Sequence, residues 1–161
     1  MKLAFYKSSN GDMLDSLIDL WSGRYGYSHV ELVFDRISTD KSKGCLCFSS
    51  SPREGKCRFK NIHLTDKHWC VIDIPCTKVE EELFYSKCFQ YVNAKYDYYG
   101  IIFWYVFPLK KEKPKKWWCS EIVSYILNHE KYHVTPNYLA KFYEVPKSEF
   151  KLILNKTWRM K

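Results

Sequence analysis

The sequence predicts a single α+β domain in which a mostly antiparallel sheet packs against helices. Three observations predict it. Short segments that alternate apolar and polar residues follow one another through the first half of the chain. Apolar residues at helical spacing come once before these segments and repeatedly after them. No repeat, linker or low-complexity stretch divides the 161 residues, a usual size for one domain. Strands grouped ahead of helices, rather than alternating with them, form the α+β pattern.

Lys2 to Lys7 reads as a first strand. Asn10-Gly11-Asp12 is turn material that can also cap a helix, and Leu14, Leu17, Ile18 and Trp21 follow at helical spacing. Gly23 is a plausible stop. From Ser28 to Phe34 the chain alternates. Val30, Leu32 and Phe34 face the core, while His29, Glu31 and Val33 occupy a second face that carries polar groups. Three further strands fit Cys45 to Ser49, Cys57 to Ile62 and Trp69 to Ile74, the first two separated by a turn at S-S-S-P-R-E-G-K.

Thr77-x-x-Glu80 is a capping box. It opens a helix expected to reach about Asn93, with Leu83, Phe84, Cys88, Tyr91 and Val92 inward. Tyr96 to Phe107 is dense in aromatic residues and reads as core without a clear period. A helix is expected from Cys119 to about His129, with Ile122, Val123, Ile126 and Leu127 buried. Thr135-Pro136 caps a short helix through Tyr143, and Phe150 to Leu154 forms a last short element.

Composition narrows the functional classes. Hydrophobic residues are 46% and aromatic residues 18%, which excludes a disordered chain. The apolar run from Gly100 to Leu109 is far too short to span a bilayer. The apolar core of the N-terminus, Leu3 to Tyr6, is shorter than an export signal needs, so a cytoplasmic location is expected. Seven cysteines, an odd count, argue against a disulfide framework. A net charge of +8, part of it in the run Lys110 to Lys116, allows an anionic partner, although a solvated loop explains that run as well.

Two stretches carry candidate chemistry. His129-Glu130-x-x-His133 has the spacing of a zinc-protease helix, with two histidines on one face and a glutamate as general base. Lys131 inside the motif and Thr135-Pro136 directly after it speak against it. Glu144 and Glu149 are available as a third ligand, but nothing singles out either. A polar last turn accounts for these residues, and no metal or other cofactor is expected. The scattered Cys45, Cys47, Cys57, His63, His68 and Cys70 lack the paired C-x-x-C of a zinc knuckle, and alternate strand positions explain most of them.

Cys119 is the stronger candidate. It opens a helix, where unpaired N–H groups and the positive end of the dipole favour a thiolate. Lys115 and Lys116 add positive charge. A catalytic thiol also needs a base and a group that orients the base. His29 fits the base, and Glu31, two residues on and on the same strand face, fits the orienting carboxylate. Cys119 and the H-E-x-x-H stretch lie about 15 Å apart along one helix, too far to form one centre.

S-H-V-E-L-V-F at residues 28–34, followed late in the chain by W-C-S-E-I-V at 118–123, resembles the circularly permuted papain-like enzymes of the NlpC-type amidase superfamily. These include the YiiX-like group, similar small phage and poxvirus proteins, and the lecithin retinol acyltransferase-like group. In the permuted enzymes the histidine strand precedes the cysteine helix, as here. The resemblance runs from His29 to the helix at Pro136-Asn137-Tyr138-Leu139. It implies a permuted papain-like fold with Cys119 as nucleophile and His29 as general base. It places the third polar residue at Ser49 or Ser51 in many relatives, whereas Glu31 is the stronger imidazolium partner by charge.

The implied activity is that of a cysteine peptidase or amidase working through a thioester. Its substrate would be a peptide, a peptidoglycan-type amide or an acyl lipid, the last giving acyltransferase or esterase chemistry. Ser120 and Glu121 are expected near the cysteine, and the Cys119 N–H is a candidate oxyanion donor. Tyr27, Trp117 and Trp118 could line a cleft, with core packing as their plainer role. If the source is viral, the location implied is the host cytoplasm. The rival reading is a non-catalytic protein that holds an anionic partner on its basic surface.

Overall fold

The computed structural model describes residues 1–37, 41–100, 116–128 and 134–148. The H-E-x-x-H stretch, residues 110–115 of the basic run and the expected element at 150–154 lie outside the described residues. The rest forms an α+β arrangement: one open seven-stranded sheet with helices packed on it.

The strands are β1 (Lys2–Lys7), β2 (Tyr27–Val33), β3 (Cys45–Ser51), β4 (Lys56–Ile62), β5 (Trp69–Asp73), β6 (Lys95–Tyr96) and β7 (Lys116–Trp117). Their order across the sheet is β5-β1-β2-β3-β4-β6-β7. All neighbours are antiparallel except the short parallel pair β6–β7. Four α-helices lie wholly within the described residues: α1 (Met13–Trp21), α2 (Lys78–Phe89), α3 (Cys119–Ile126) and α4 (Pro136–Phe142); residues 98–100 are helical too. None is long and apolar enough to cross a membrane.

Both faces of the sheet are covered near its middle. Leu3, Phe5, Val30, Leu32, Phe34 and Phe48 pack against Ile122, Val123 and Ile126 of α3 and Leu139 of α4 in the main core. On the other face Ala4, Val33, Cys47 and Trp69 form a smaller cluster, bordered by Tyr6, Ile62 and Val71. The second face of β2 is therefore not a solvated face. Glu31 and Val33 are both fully buried on it. Their neighbours across the sheet supply cover that alternation along one strand does not reveal.

Local signals set the helix ends. Asp12 caps α1 in a capping box with Asp15, and Thr77 caps α2 in one with Glu80. Thr135 accepts the Tyr138 N–H, with Pro136 in the first turn of α4. Helix α2 is shorter than its pattern predicts. It ends at Phe89 and gives way to turns that lead to Asn93, whose φ is 68°. Leu83, expected inward, is 63% exposed, because α2 meets the core through Phe84, Tyr85 and Cys88. Helix α3 likewise stops at Ile126. There Lys87 donates to the Tyr125 and Ile126 carbonyls at 2.8 and 3.4 Å, a cation on orphan carbonyls at a C-terminus, and to the Asn128 side chain at 2.8 Å.

Helix α1 is inverted relative to its apolar spacing. Ile18 is buried, but so are Asp15, Ser16 and Asp19, while Met13, Leu14 and Trp21 are exposed. The buried acids are fully engaged. Asp19 accepts from Ser8 Oγ at 2.7 Å, from the Gly26 N–H at 2.8 Å and from Asn137 Nδ2 at 2.7 Å. Asp15 accepts from Ser28 Oγ and from Arg53, each at 2.7 Å. Gly26, at φ 101°, allows the close approach of Ser148, whose Cβ would lie 2.6 Å from a Cβ added there.

Candidate active site

The site forms where the start of β2 meets the N-terminus of α3. Strand β2 enters the sheet through a bulge. Tyr6 of β1 pairs with His29, but Lys7 pairs with Tyr27, so Ser28 is an extra residue on β2. The bulge puts Tyr27 into the main core and leaves His29 on the face of Glu31. Three polar anchors hold this entry: Gly26 N–H on Asp19, the Tyr27 N–H on Asn137 Oδ1 at 3.0 Å, and Ser28 Oγ on Asp15.

His29 Nε2 lies 2.8 Å from Glu31 Oε1. A carboxylate only accepts, so Nε2 carries the hydrogen and Nδ1 is left for a second partner. The Cys119 sulfur faces the imidazole as well and bears on its charge. The Trp69 ring meets the imidazole edge-on, with centroids 6.4 Å apart. Burial alone pulls the His29 pKa down. The facing Cys119 sulfur and the Glu31 carboxylate outweigh it and push His29 up to about 10.

Cys119 opens α3 with Trp118 at the N-cap, and Trp118 supplies no side-chain cap to the first-turn N–H groups. The residue is 4% exposed. Ser120 is fully buried and donates to the Val134 carbonyl, which the Trp118 indole N–H also meets, at 2.9 Å. Glu121, half-buried, accepts from the Trp118 N–H. Burial and the nearby Asp97 carboxylate push Glu121 up to about 7.

Glu31 has partners beyond the imidazole. Arg58 of β4 donates from Nη1 to Oε2 at 2.7 Å and from Nη2 to Oε1 at 2.6 Å. Burial pushes the Glu31 carboxyl up, but His29 and Arg58 prevail and hold it below the ordinary glutamate value. Arg58 was not singled out from the sequence. A signal existed: a carboxylate on a buried strand face needs a cation, and Arg58 alternates with Cys57 and Phe59 on the neighbouring hairpin. Of the alternative third residues Ser49 and Ser51, Ser49 is used elsewhere, since its Oγ donates to the Val30 carbonyl at 2.7 Å.

The candidate cleft aromatics are mostly core. Tyr27 is 1% exposed, with its hydroxyl donating to the Pro146 carbonyl at 2.6 Å, and Trp118 is buried. Trp117 packs against Tyr91 and Tyr125. All seven cysteines are free thiols. Among the described residues no three His, Cys, Asp or Glu side chains group as metal ligands. Comparison of the chain with protein-family models, curated proteins and solved structures finds no match.

Proposed function

We propose that the protein is a cysteine hydrolase of the peptidase or amidase type, on a circularly permuted papain-like fold. One observation carries the reading. A histidine held by a buried carboxylate faces a cysteine at the N-terminus of a helix. Nucleophile, base and orienting group then stand in one line, with helix amides beside the sulfur. The order of the chain, histidine strand before cysteine helix, agrees with the permuted arrangement.

In this mechanism the Cys119 sulfur attacks a substrate carbonyl carbon, and a tetrahedral oxyanion forms against first-turn N–H groups. Its collapse breaks the bond to the leaving group, which takes its proton from His29. Water, deprotonated by His29, then attacks the thioester and frees Cys119. Glu31 keeps the ring oriented and stabilises the imidazolium. The substrate class is a peptide or other amide. An acyl lipid would undergo the same steps and is distinguished by which substrate is turned over.

The test is thiol reactivity. Native protein is treated with limiting iodoacetamide, small enough for a thiol with little exposure, from pH 5 to 9. Modified cysteines are mapped by mass spectrometry, with His29→Ala in parallel. Selective labelling of Cys119 below the pH at which ordinary thiols react (~8.5), with the rise moved to higher pH in His29→Ala, is the expected result. Labelling of Cys119 no faster than that of the half-buried Cys45, Cys70 and Cys76 would remove the basis of the proposal.

A further inference from the structure

The face of the sheet that carries His29 and Glu31 also carries a line of alternating charge. From the imidazole it runs to the Glu31 carboxylate and the Arg58 guanidinium. Arg58 Nε then lies 3.4 Å from Glu54 Oε2, and Lys60 Nζ donates to Glu54 Oε1 at 2.8 Å. Exposure rises from the carboxylate to the outer end of this line: the side chains of Glu31 and Arg58 are 0% and 10% exposed, those of Glu54 and Lys60 32% and 55%.

Once the imidazole has taken up a second proton, the one between His29 and Glu31 has two resting places. On Nε2 it gives an ion pair. On Oε1 it gives two neutral groups, which a buried site favours because neither charge is desolvated. Arg58 changes this balance. Its fork donates to both carboxylate oxygens, and a guanidinium cannot give up its own proton. A protonated Glu31 carboxyl would donate to Nε2 but leave the buried Arg58 guanidinium without its main counter-charge. The anion satisfies both groups.

The other groups around the pair do not supply this. Cys119 approaches His29 from α3. Tyr6 of β1 stands opposite His29 and stacks on His68, which adjoins β5. Cys47 of β3 lies near Glu31, and its thiol is pushed up by burial and by that carboxylate.

We propose that Arg58 is a positioning residue for the Cys119–His29 pair, holding Glu31 as a carboxylate so that the proton stays on the imidazole. The inference rests on the reading of Cys119 as nucleophile. Arg58 pairs with the Glu31 and Glu54 side chains, so it acts on the pair through Glu31.

The experiment measures the pH profile of Cys119 alkylation by iodoacetamide in the full chain. Arg58→Met and Arg58→Lys are compared with the parent and with His29→Ala, and circular dichroism checks the fold. Arg58→Met should move the rise about one pH unit higher, about tenfold slower labelling on the acid side. Arg58→Lys keeps the charge but loses the fork, and should move it by about half as much. Adding Arg58→Met to His29→Ala should slow labelling no further, because the effect passes through the imidazole.

A folded Arg58→Met whose profile matches the parent, or moves to lower pH, overturns the proposal. So does loss of the fold in both Arg58 variants, which would make the residue structural. A parent profile indifferent to His29→Ala is a different failure: it sinks the nucleophile reading, and this role with it.

Discussion

Replacing Glu31 by glutamine isolates what the buried carboxylate contributes. The side chain is fully buried and accepts from His29 Nε2 at 2.8 Å and from Arg58 at 2.7 and 2.6 Å. Glutamine keeps the shape but puts an NH2 where one oxygen stood. That donor then faces either the imidazole N–H or an Arg58 N–H. Arg58 also loses its main counter-ion, with Glu54 left at 3.4 Å on one side. Removing one partner of a buried pair costs about 3–5 kcal/mol. Glu54 remains, so the low end, about 3 kcal/mol, is expected. In a domain of this size each kcal/mol lowers Tm by about 2–4 °C, so thermal melts at pH 7 should fall by about 6–12 °C.

The pH dependence checks the cause. The folded Glu31 pKa is lowered. Its stabilisation is therefore present above the unfolded value, about 4.3, and lost as pH falls through the folded value. The gap between parent and Glu31→Gln should narrow in acid. Glu31→Gln/Arg58→Met removes both charges and should recover part of the loss. A Glu31→Gln melt within about 3 °C of the parent, roughly 1 kcal/mol, would show that the pair is not the buried ion pair described.

Two further predictions concern the supports of the site. Glu121 is raised to about 7 by burial and Asp97, so its contribution is full below the unfolded value and lost as pH rises through about 7. Glu121→Gln keeps an oxygen for the Trp118 N–H and should exceed the parent by about 2 kcal/mol at pH 8.5 while matching it at pH 4; equal urea midpoints at both pH values would refute this. Asn137 is fully buried and bonds the Tyr27 N–H, Asp19 and Ser22. Asn137→Leu should cost about 3 kcal/mol by urea unfolding, and a cost under about 1 kcal/mol would mean that these bonds are replaced.

Element type was legible wherever one side of a segment decides it. β1 spans the six residues read as a first strand, and the cap at Asp12 and the capping box at Thr77 start their helices as the side-chain chemistry requires. Burial was less legible. Leu83 follows the helical period yet faces solvent, because α2 meets the core through Phe84, Tyr85 and Cys88 instead. Asp15 and Asp19 read as surface residues until their partners are known, and those partners come from four other segments: Ser8, Gly26 to Ser28, Arg53 and Asn137. At the site, Cys119, His29 and Glu31 were legible because each carries its own local signal. Arg58 was not, since its meaning depends on β3 and β4 bringing it across from β2.

The two buried polar assemblies share one consequence for β2. Apolar burial is non-directional and places Val30, Leu32 and Phe34 in the core without fixing what happens at the end of the strand. A slip of one residue there would exchange the faces of Tyr27 and His29. Directional bonds prevent it on both sides of His29. Ahead of it, Asp19, Asn137 and Asp15 hold Gly26, Tyr27 and Ser28 one residue at a time. Behind it, Arg58 grips Glu31 at two points. Each assembly takes charged groups out of water, which a purely apolar core would avoid. What that cost secures is the bulge at Ser28, and the bulge aims the imidazole at Cys119.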